Sequence, residues 1–202
     1  MIKQKIHETP DDFVEQARQG TTSLGFWIYL MTDCLLFGSL FATYAVLRNS
    51  TADGPSGSEL FDMPFVLVET LILLTSSFIC GLLILAARNN RPKLVIGGLV
   101  ATGVLGLSFL ALELYEFTNL VHEGYSWQVS AFLSAFFTLV GTHGLHIAVG
   151  LIWLCVMIWQ IYRIGLTRNV TRRLVLFSLF WHFLDVIWIF IFTFVYLLGG
   201  MS

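Results

Sequence analysis

Five long apolar runs constrain the fold of this 202-residue chain more than any other feature. A helix needs about 20 predominantly apolar residues to cross the hydrocarbon core of a bilayer, and each run is long enough. None of the runs alternates apolar and polar residues, as the strands of a membrane barrel do, so we expect helices. The sequence therefore predicts an all-α membrane protein, a bundle of five transmembrane helices that span residues 22–47, 65–87, 94–121, 129–162 and 174–198.

The composition supports this class of protein and excludes others. Hydrophobic residues make up 56% of the chain and charged residues 12%, which is far from the composition of a soluble domain. No basic patch with interleaved aromatic residues is present, so we expect no nucleic-acid partner. Residues 1–21 are polar and of mixed charge, and residues 22–200 are predicted to form one transmembrane domain.

The positions of the basic residues predict the orientation, because short cytoplasmic loops retain positive charge. Ten of the eleven Lys and Arg residues lie before the first helix, between helices two and three, or between helices four and five. Only Arg48 lies on the other side. We therefore expect a cytoplasmic N terminus, with residues 1–21 as a cytoplasmic segment, and a periplasmic C terminus.

The apolar runs also contain ionisable side chains, which cost several kcal/mol at mid-bilayer depth unless they are paired or hydrated. Histidine and carboxylate residues occur in pairs three positions apart, a spacing that places both members on one helix face. These candidate site residues are Asp33, Glu113 with Glu116, His143 with His146, and His182 with Asp185.

The helical rise of about 1.5 Å per residue gives a depth for each of these side chains. On this scale Asp33, His143 and Asp185 lie at a similar depth, and His146 and His182 lie a few residues deeper. Because helices four and five are antiparallel, we expect two rungs between them: His143 with Asp185, and His146 with His182. Glu69, Glu113 and Glu116 are expected to form a separate layer nearer the outer surface.

Three functions remain open for this constellation from the residues alone. The side chains could hold the helices in register, since interhelical polar contacts are common and worth about 1 kcal/mol each. Three imidazoles and a carboxylate on helices four and five could instead bind a metal ion or a haem. Asp33, the histidines and the glutamates could also relay protons, which would make this a proton-translocating membrane protein in its own right.

Three ordered motifs carry a resemblance to a known family. They are ELYE at residues 113–116, GTHGLH at residues 141–146 and FWHFLDVIW at residues 180–188. Together they resemble the third subunit of haem-copper respiratory oxidases, over residues 25–200. Members from cytochrome c oxidases commonly have seven helices. This chain is similar to the five-helix form that occurs in bacterial cytochrome o ubiquinol oxidase.

The resemblance implies a non-catalytic role in aerobic respiration at the bacterial inner membrane. It implies that this chain binds no cofactor, and that haem and copper reside in the partner catalytic subunit I. Its expected partners are subunit I, the other subunits of a proton-pumping ubiquinol oxidase, and phospholipid. Its expected role is to stabilise the catalytic subunit and to support proton uptake. Asp33 matches the position of the family's carbodiimide-reactive intramembrane acid, which is usually a glutamate.

Overall fold

A computed structural model of the chain describes residues 10–51 and 63–199, with the backbone alone described for residues 10–19. Within these ranges the chain forms five α-helices and a final π-helical turn. They are α1 (Pro10–Leu47), α2 (Met63–Arg88), α3 (Pro92–His122), α4 (Ala131–Ile164), α5 (Arg168–Ile191) and the π-helical turn Phe192–Leu197.

All five predicted spans are confirmed as helices that are long and apolar enough to cross a membrane. Two of them begin more than one helical turn earlier than predicted. Helix α1 starts at Pro10 rather than at residue 22, and α5 starts at Arg168 rather than at residue 174. The apolar run sets only the part of a helix that lies in hydrocarbon, and polar residues such as Arg172 and Arg173 continue the helix beyond it.

Local sequence explains where several helices begin and end. The Ser130 hydroxyl accepts a hydrogen bond from the Leu133 N–H at 3.1 Å and caps α4. Thr167 caps α5 in the same way, through the Val170 N–H at 3.4 Å. Pro92 occupies the first turn of α3, where a missing N–H is tolerated. Gly165 ends α4 with φ of +79°, a conformation that favours glycine.

Contacts divide the chain into two compact units, with a boundary between Leu36 and Phe37 inside α1. The single transmembrane domain over residues 22–200 stays a prediction. In the first unit, the rings of Phe26 and Tyr29 lie 6.0 Å apart, and Thr32 donates a hydrogen bond to the Tyr29 carbonyl. The cytoplasmic placement of residues 1–21 stays a prediction, and residues 1–9 lie outside the described residues.

In the second unit, α2 packs along α3, and α5 packs against both α2 and α4. The Trp181 indole of α5 fills the centre of this unit. A Cβ atom added at Gly106 on α3 would lie 2.8 Å from this ring, and one added at Gly150 on α4 would lie 2.9 Å from it. The two glycines therefore make the space that the indole occupies, as small residues do at close helix contacts in membranes.

Candidate functional site

The polar side chains of α5 face α2. The Trp181 Nε1–H donates to the Ser76 hydroxyl at 3.1 Å, and the Trp188 Nε1–H donates to the Thr70 hydroxyl at 3.0 Å. Asp185 interacts with the Ser77 hydroxyl on α2. We call this set the α2–α5 polar seam: Thr70, Ser76 and Ser77 on α2, and Trp181, Asp185 and Trp188 on α5.

His182 lies beside this seam and is half-buried. Its Nδ1 donates to the Ser178 carbonyl of its own helix at 2.7 Å. Its Nε2 points toward α2, because a Cβ atom added at Gly81 would lie 3.5 Å from it. Asp185 interacts electrostatically with His182, one turn away on α5. These two residues therefore share a face, as their spacing predicts, and that face is turned to α2.

His143 and His146 on α4 have different surroundings from each other. His143 is fully buried, its ring stacks on Trp188 with centroids 5.3 Å apart, and neither ring nitrogen has a hydrogen-bond partner in the described part of the chain. The Nδ1 of His146 donates to the Thr142 carbonyl of its own helix at 2.7 Å. The His146 ring lies 5.3 Å from the ring of Phe37.

The two predicted rungs between helices four and five are therefore wrong. His143 lies opposite Trp188, about one helical turn beyond Asp185, and His182 faces Gly81 on α2. Counting residues from the helix ends assumes that neighbouring helices end level with each other. The register is set instead by the Trp181 indole, which fits against α4 only where Gly150 leaves room for it.

A metal or haem site on helices four and five has no geometric basis here. The three imidazoles have different neighbours: His143 stacks on Trp188, the His146 ring lies beside Phe37, and His182 Nε2 points toward Gly81 on α2. Among the side chains of residues 20–51 and 63–199, no group of three or more His, Cys, Asp and Glu is positioned to hold a metal ion. The described residues therefore give this hypothesis no support.

The three glutamates form a second group, which we call the acid layer: Glu69 on α2, and Glu113 and Glu116 on α3. Their carboxyl groups are close enough to interact electrostatically. Glu116 accepts a hydrogen bond from the Tyr196 hydroxyl at 3.0 Å. Glu69 and Glu113 are buried, with 0% and 2% of their surface exposed. The structure therefore brings together the three residues that the sequence placed in one layer.

Glu113 contacts α4 at a glycine. A Cβ atom added at Gly144 would lie 2.7 Å from Glu113 Oε1 and 3.0 Å from Oε2. Gly144 directly follows His143 on α4. Both oxygens of Glu69 and the Oε2 of Glu113 have no hydrogen-bond partner within the described residues.

Asp33 belongs to the first unit, whereas the other candidate residues belong to the second. It is buried, and it forms a side-chain hydrogen bond with Tyr29, one turn earlier on α1. Tyr29 and Asp33 therefore form a local pair. A functional role for Asp33 stays a prediction.

Sequence reasoning missed the partners of α5. Ser76 and Ser77 are adjacent hydroxyl residues in the middle of an apolar run, and Trp181 and Trp188 lie far from the ends of theirs. Buried indole N–H groups usually find a hydrogen-bond partner, so tryptophans at this depth were the available signal. Tyr196, which binds Glu116, lies in the π-helical turn and has no comparable signal.

Comparison with known proteins identifies the group to which this arrangement belongs. A relative from Pseudomonas putida, cytochrome bo(3) ubiquinol oxidase subunit 3, is 55% identical over 88% of this chain and 86% of its own length. The protein of the same name from Pseudomonas aeruginosa is 53% identical over 90% and 87%. Cytochrome c oxidase subunit 3 from Bacillus sp. (strain PS3) is 47% identical over 87% and 85%.

The family described as cytochrome c oxidase subunit III matches residues 11–200, which include all five spanning helices and every candidate residue discussed above. The family resemblance carried by the three sequence motifs is thus confirmed over almost the whole chain. The chain belongs to the cytochrome c oxidase subunit III family.

Proposed function

We propose that this chain is the non-catalytic subunit III of a proton-pumping haem-copper oxidase in a bacterial inner membrane, and that the oxidase takes electrons from ubiquinol. The choice of electron donor rests on sequence identity. The chain is more identical to the two Pseudomonas relatives, which are named as ubiquinol oxidase subunits, than to the Bacillus relative, which is named as a cytochrome c oxidase subunit. Haem and copper are then held by the catalytic subunit I, which is the main partner.

The role of this chain is to stabilise subunit I and to support its proton uptake. Large apolar side chains cover the outside of the helices, and they include Leu35 and Val46 on α1 and Ile152 on α4. In a membrane such faces contact either lipid or another subunit. The tryptophans and hydroxyls of the α2–α5 polar seam bond to each other inside the chain, which suits a scaffold rather than a catalyst.

Phospholipid is the second proposed partner. An apolar groove lies in the second unit between the last turns of α1 and α5, with Phe41, Phe190 and Phe194 among its walls and Arg48 at its rim. The aromatic walls suit an acyl chain. The Arg48 guanidinium suits the phosphate of the headgroup, because arginine pairs well with phosphate oxygens.

Co-purification tests the proposed function directly. A tag on the C terminus is expected to recover a complex that contains haem, which ubiquinol reduces and reduced cytochrome c does not. Recovery of this chain without haem would contradict the role as an oxidase subunit. Reduction by cytochrome c alone would contradict the proposed electron donor and leave the subunit role intact.

The same tag tests the proposed orientation. If the C terminus is periplasmic, a protease or antibody added to intact spheroplasts reaches the tag on Ser202. Access only after the membrane is inverted would contradict the orientation that the basic residues predict.

A further inference from the structure

The acid layer is the buried group that the proposed function does not use. It brings Glu69 of α2 and Glu113 and Glu116 of α3 into electrostatic contact within the membrane-spanning part of the chain. If all three carboxyl groups were ionised, they would repel one another strongly, because the surrounding medium has a low dielectric constant. An arrangement of this kind needs either cations or protons to neutralise it.

Within the described residues, the groups that face Glu69 and Glu113 supply no cation. From α4 it meets the backbone at Gly144, next to His143, whose ring nitrogens have no hydrogen-bond partner among the described residues. From the π-helical turn it meets the Tyr196 hydroxyl, a neutral donor. Among the side chains of residues 20–51 and 63–199, no lysine or arginine forms an ion pair with Glu69 or Glu113.

The three acids are not equivalent. Glu116 is half-buried and accepts a hydrogen bond from the Tyr196 hydroxyl. Glu69 is fully buried, and neither of its oxygens receives a hydrogen bond in the part of the chain that the structure describes. Glu113 is buried against the α4 backbone with one oxygen unpartnered in those same residues. A negative charge on Glu116 makes charges on Glu69 and Glu113 still less favourable.

We propose that Glu69 and Glu113 each hold a proton at neutral pH, so that the acid layer is a two-proton binding site inside subunit III. A proton neutralises a buried carboxylate without the three or more ligands that a metal ion requires. The argument for this site rests on the burial of Glu69 and Glu113 and on their oxygens without hydrogen-bond partners among the described residues. It does not depend on which electron donor the oxidase uses.

Infrared spectroscopy of the intact purified complex tests this site. The variants are Glu69→Gln and Glu113→Gln, and the control is Glu123→Gln, which changes an exposed residue in the loop after α3. At neutral pH, each of the two buried variants is expected to lose the carbonyl stretch of one un-ionised carboxyl group, a band that shifts in D2O. The control is expected to leave the un-ionised carbonyl bands unchanged.

Loss of carboxylate bands from either buried variant would overturn the proposal, because the site needs both protons. If a glutamine variant fails to assemble, Glu69→Asp and Glu113→Asp replace it. Each aspartate variant keeps a carboxyl group and is expected to retain a shifted un-ionised carbonyl band, and its replacement by carboxylate bands would equally overturn the proposal. Haem content is measured on the same samples. It tests whether the chain is an oxidase subunit, independently of whether the two glutamates hold protons.

Discussion

The α2–α5 polar seam and the acid layer begin at adjacent residues of α2, Thr70 and Glu69, yet they satisfy their polar groups in opposite ways. The Thr70 hydroxyl donates to the Val66 carbonyl at 2.8 Å and accepts from the Trp188 indole. The Glu69 carboxyl has no hydrogen-bond partner for either oxygen within the described ranges. The α2–α5 polar seam can therefore stabilise the contact between its helices, whereas the acid layer lowers the free energy of unfolding.

The difference follows from the chemistry of the two side chains. A hydroxyl both donates and accepts, so it can bond to the carbonyl one turn earlier and still receive an N–H from another helix. An ionised carboxylate only accepts, and a neutral one has a single donor. A seam of hydroxyls and indoles can therefore be complete inside the chain, but a cluster of carboxyls cannot be complete without donors from elsewhere.

The largest expected effect comes from the packing that holds the seam in register. Gly106→Leu places a side chain where the Trp181 indole lies 2.8 Å from a Cβ position, so the indole is displaced and its bond to Ser76 is lost. We expect no assembled, haem-containing complex to be recovered through a tag on this chain. The measurement is haem content per tagged subunit.

The matched control for this change is Gly97→Leu, on the same helix. A Cβ atom at Gly97 has no neighbour within 4 Å, so that substitution is expected to leave assembly intact. Recovery of a full complex with Gly106→Leu would show that the indole does not set the register.

A smaller effect is expected where α4 meets the acid layer. Gly144→Ala puts a methyl group 2.7 Å from Glu113 Oε1, and overpacking of this kind typically costs about 1–3 kcal/mol. We expect a lower temperature of half-dissociation for the purified complex. The control is Gly141→Ala, one turn earlier, where the nearest atom belongs to Phe117 at 3.6 Å and no loss is expected. Equal stability of the two variants would contradict the close contact with Glu113.

The acid layer and the seam should respond with opposite signs to apolar substitution. Glu69→Met replaces a buried group without hydrogen-bond partners in the described chain by an apolar one of similar volume, so we expect a gain of about 1 kcal/mol or no loss. Glu69→Gln keeps a polar group and should not produce the gain. Thermal dissociation of the complex measures both variants. A clear loss with Glu69→Met would mean that Glu69 makes a stabilising contact.

The sequence was sufficient for the five spans because hydrocarbon thickness fixes the length of an apolar run. It was not sufficient for the helix contacts. Residues that face lipid and residues that face another helix are both apolar, so the pattern around α5 does not reveal that Trp181 and Asp185 face α2. The spacing of His182 and Asp185 correctly placed them on one face, but it could not identify the helix opposite.

Register was the second quantity that the sequence could not supply. Depth counted from helix ends placed His143 opposite Asp185, and the structure places it opposite Trp188. The predicted register was therefore wrong by about one helical turn, which replaces a polar partner of His143 by an aromatic one. The information that decides the register lies in Gly106 and Gly150, whose importance depends on a tryptophan from a distant part of the chain.

The smallest predicted effect tests a single bond of the seam. Thr70→Val keeps the shape of the side chain but removes the oxygen that accepts the Trp188 N–H, which leaves a buried indole donor without a partner at a cost of about 1 kcal/mol. Thr75→Val is the control, because the Thr75 hydroxyl is exposed and bonds to the Leu71 carbonyl of its own helix. We expect a lower half-dissociation temperature for Thr70→Val than for Thr75→Val. If the two variants matched, the indole–hydroxyl bonds would contribute nothing measurable, and packing of the tryptophan rings alone would hold α5 against α2.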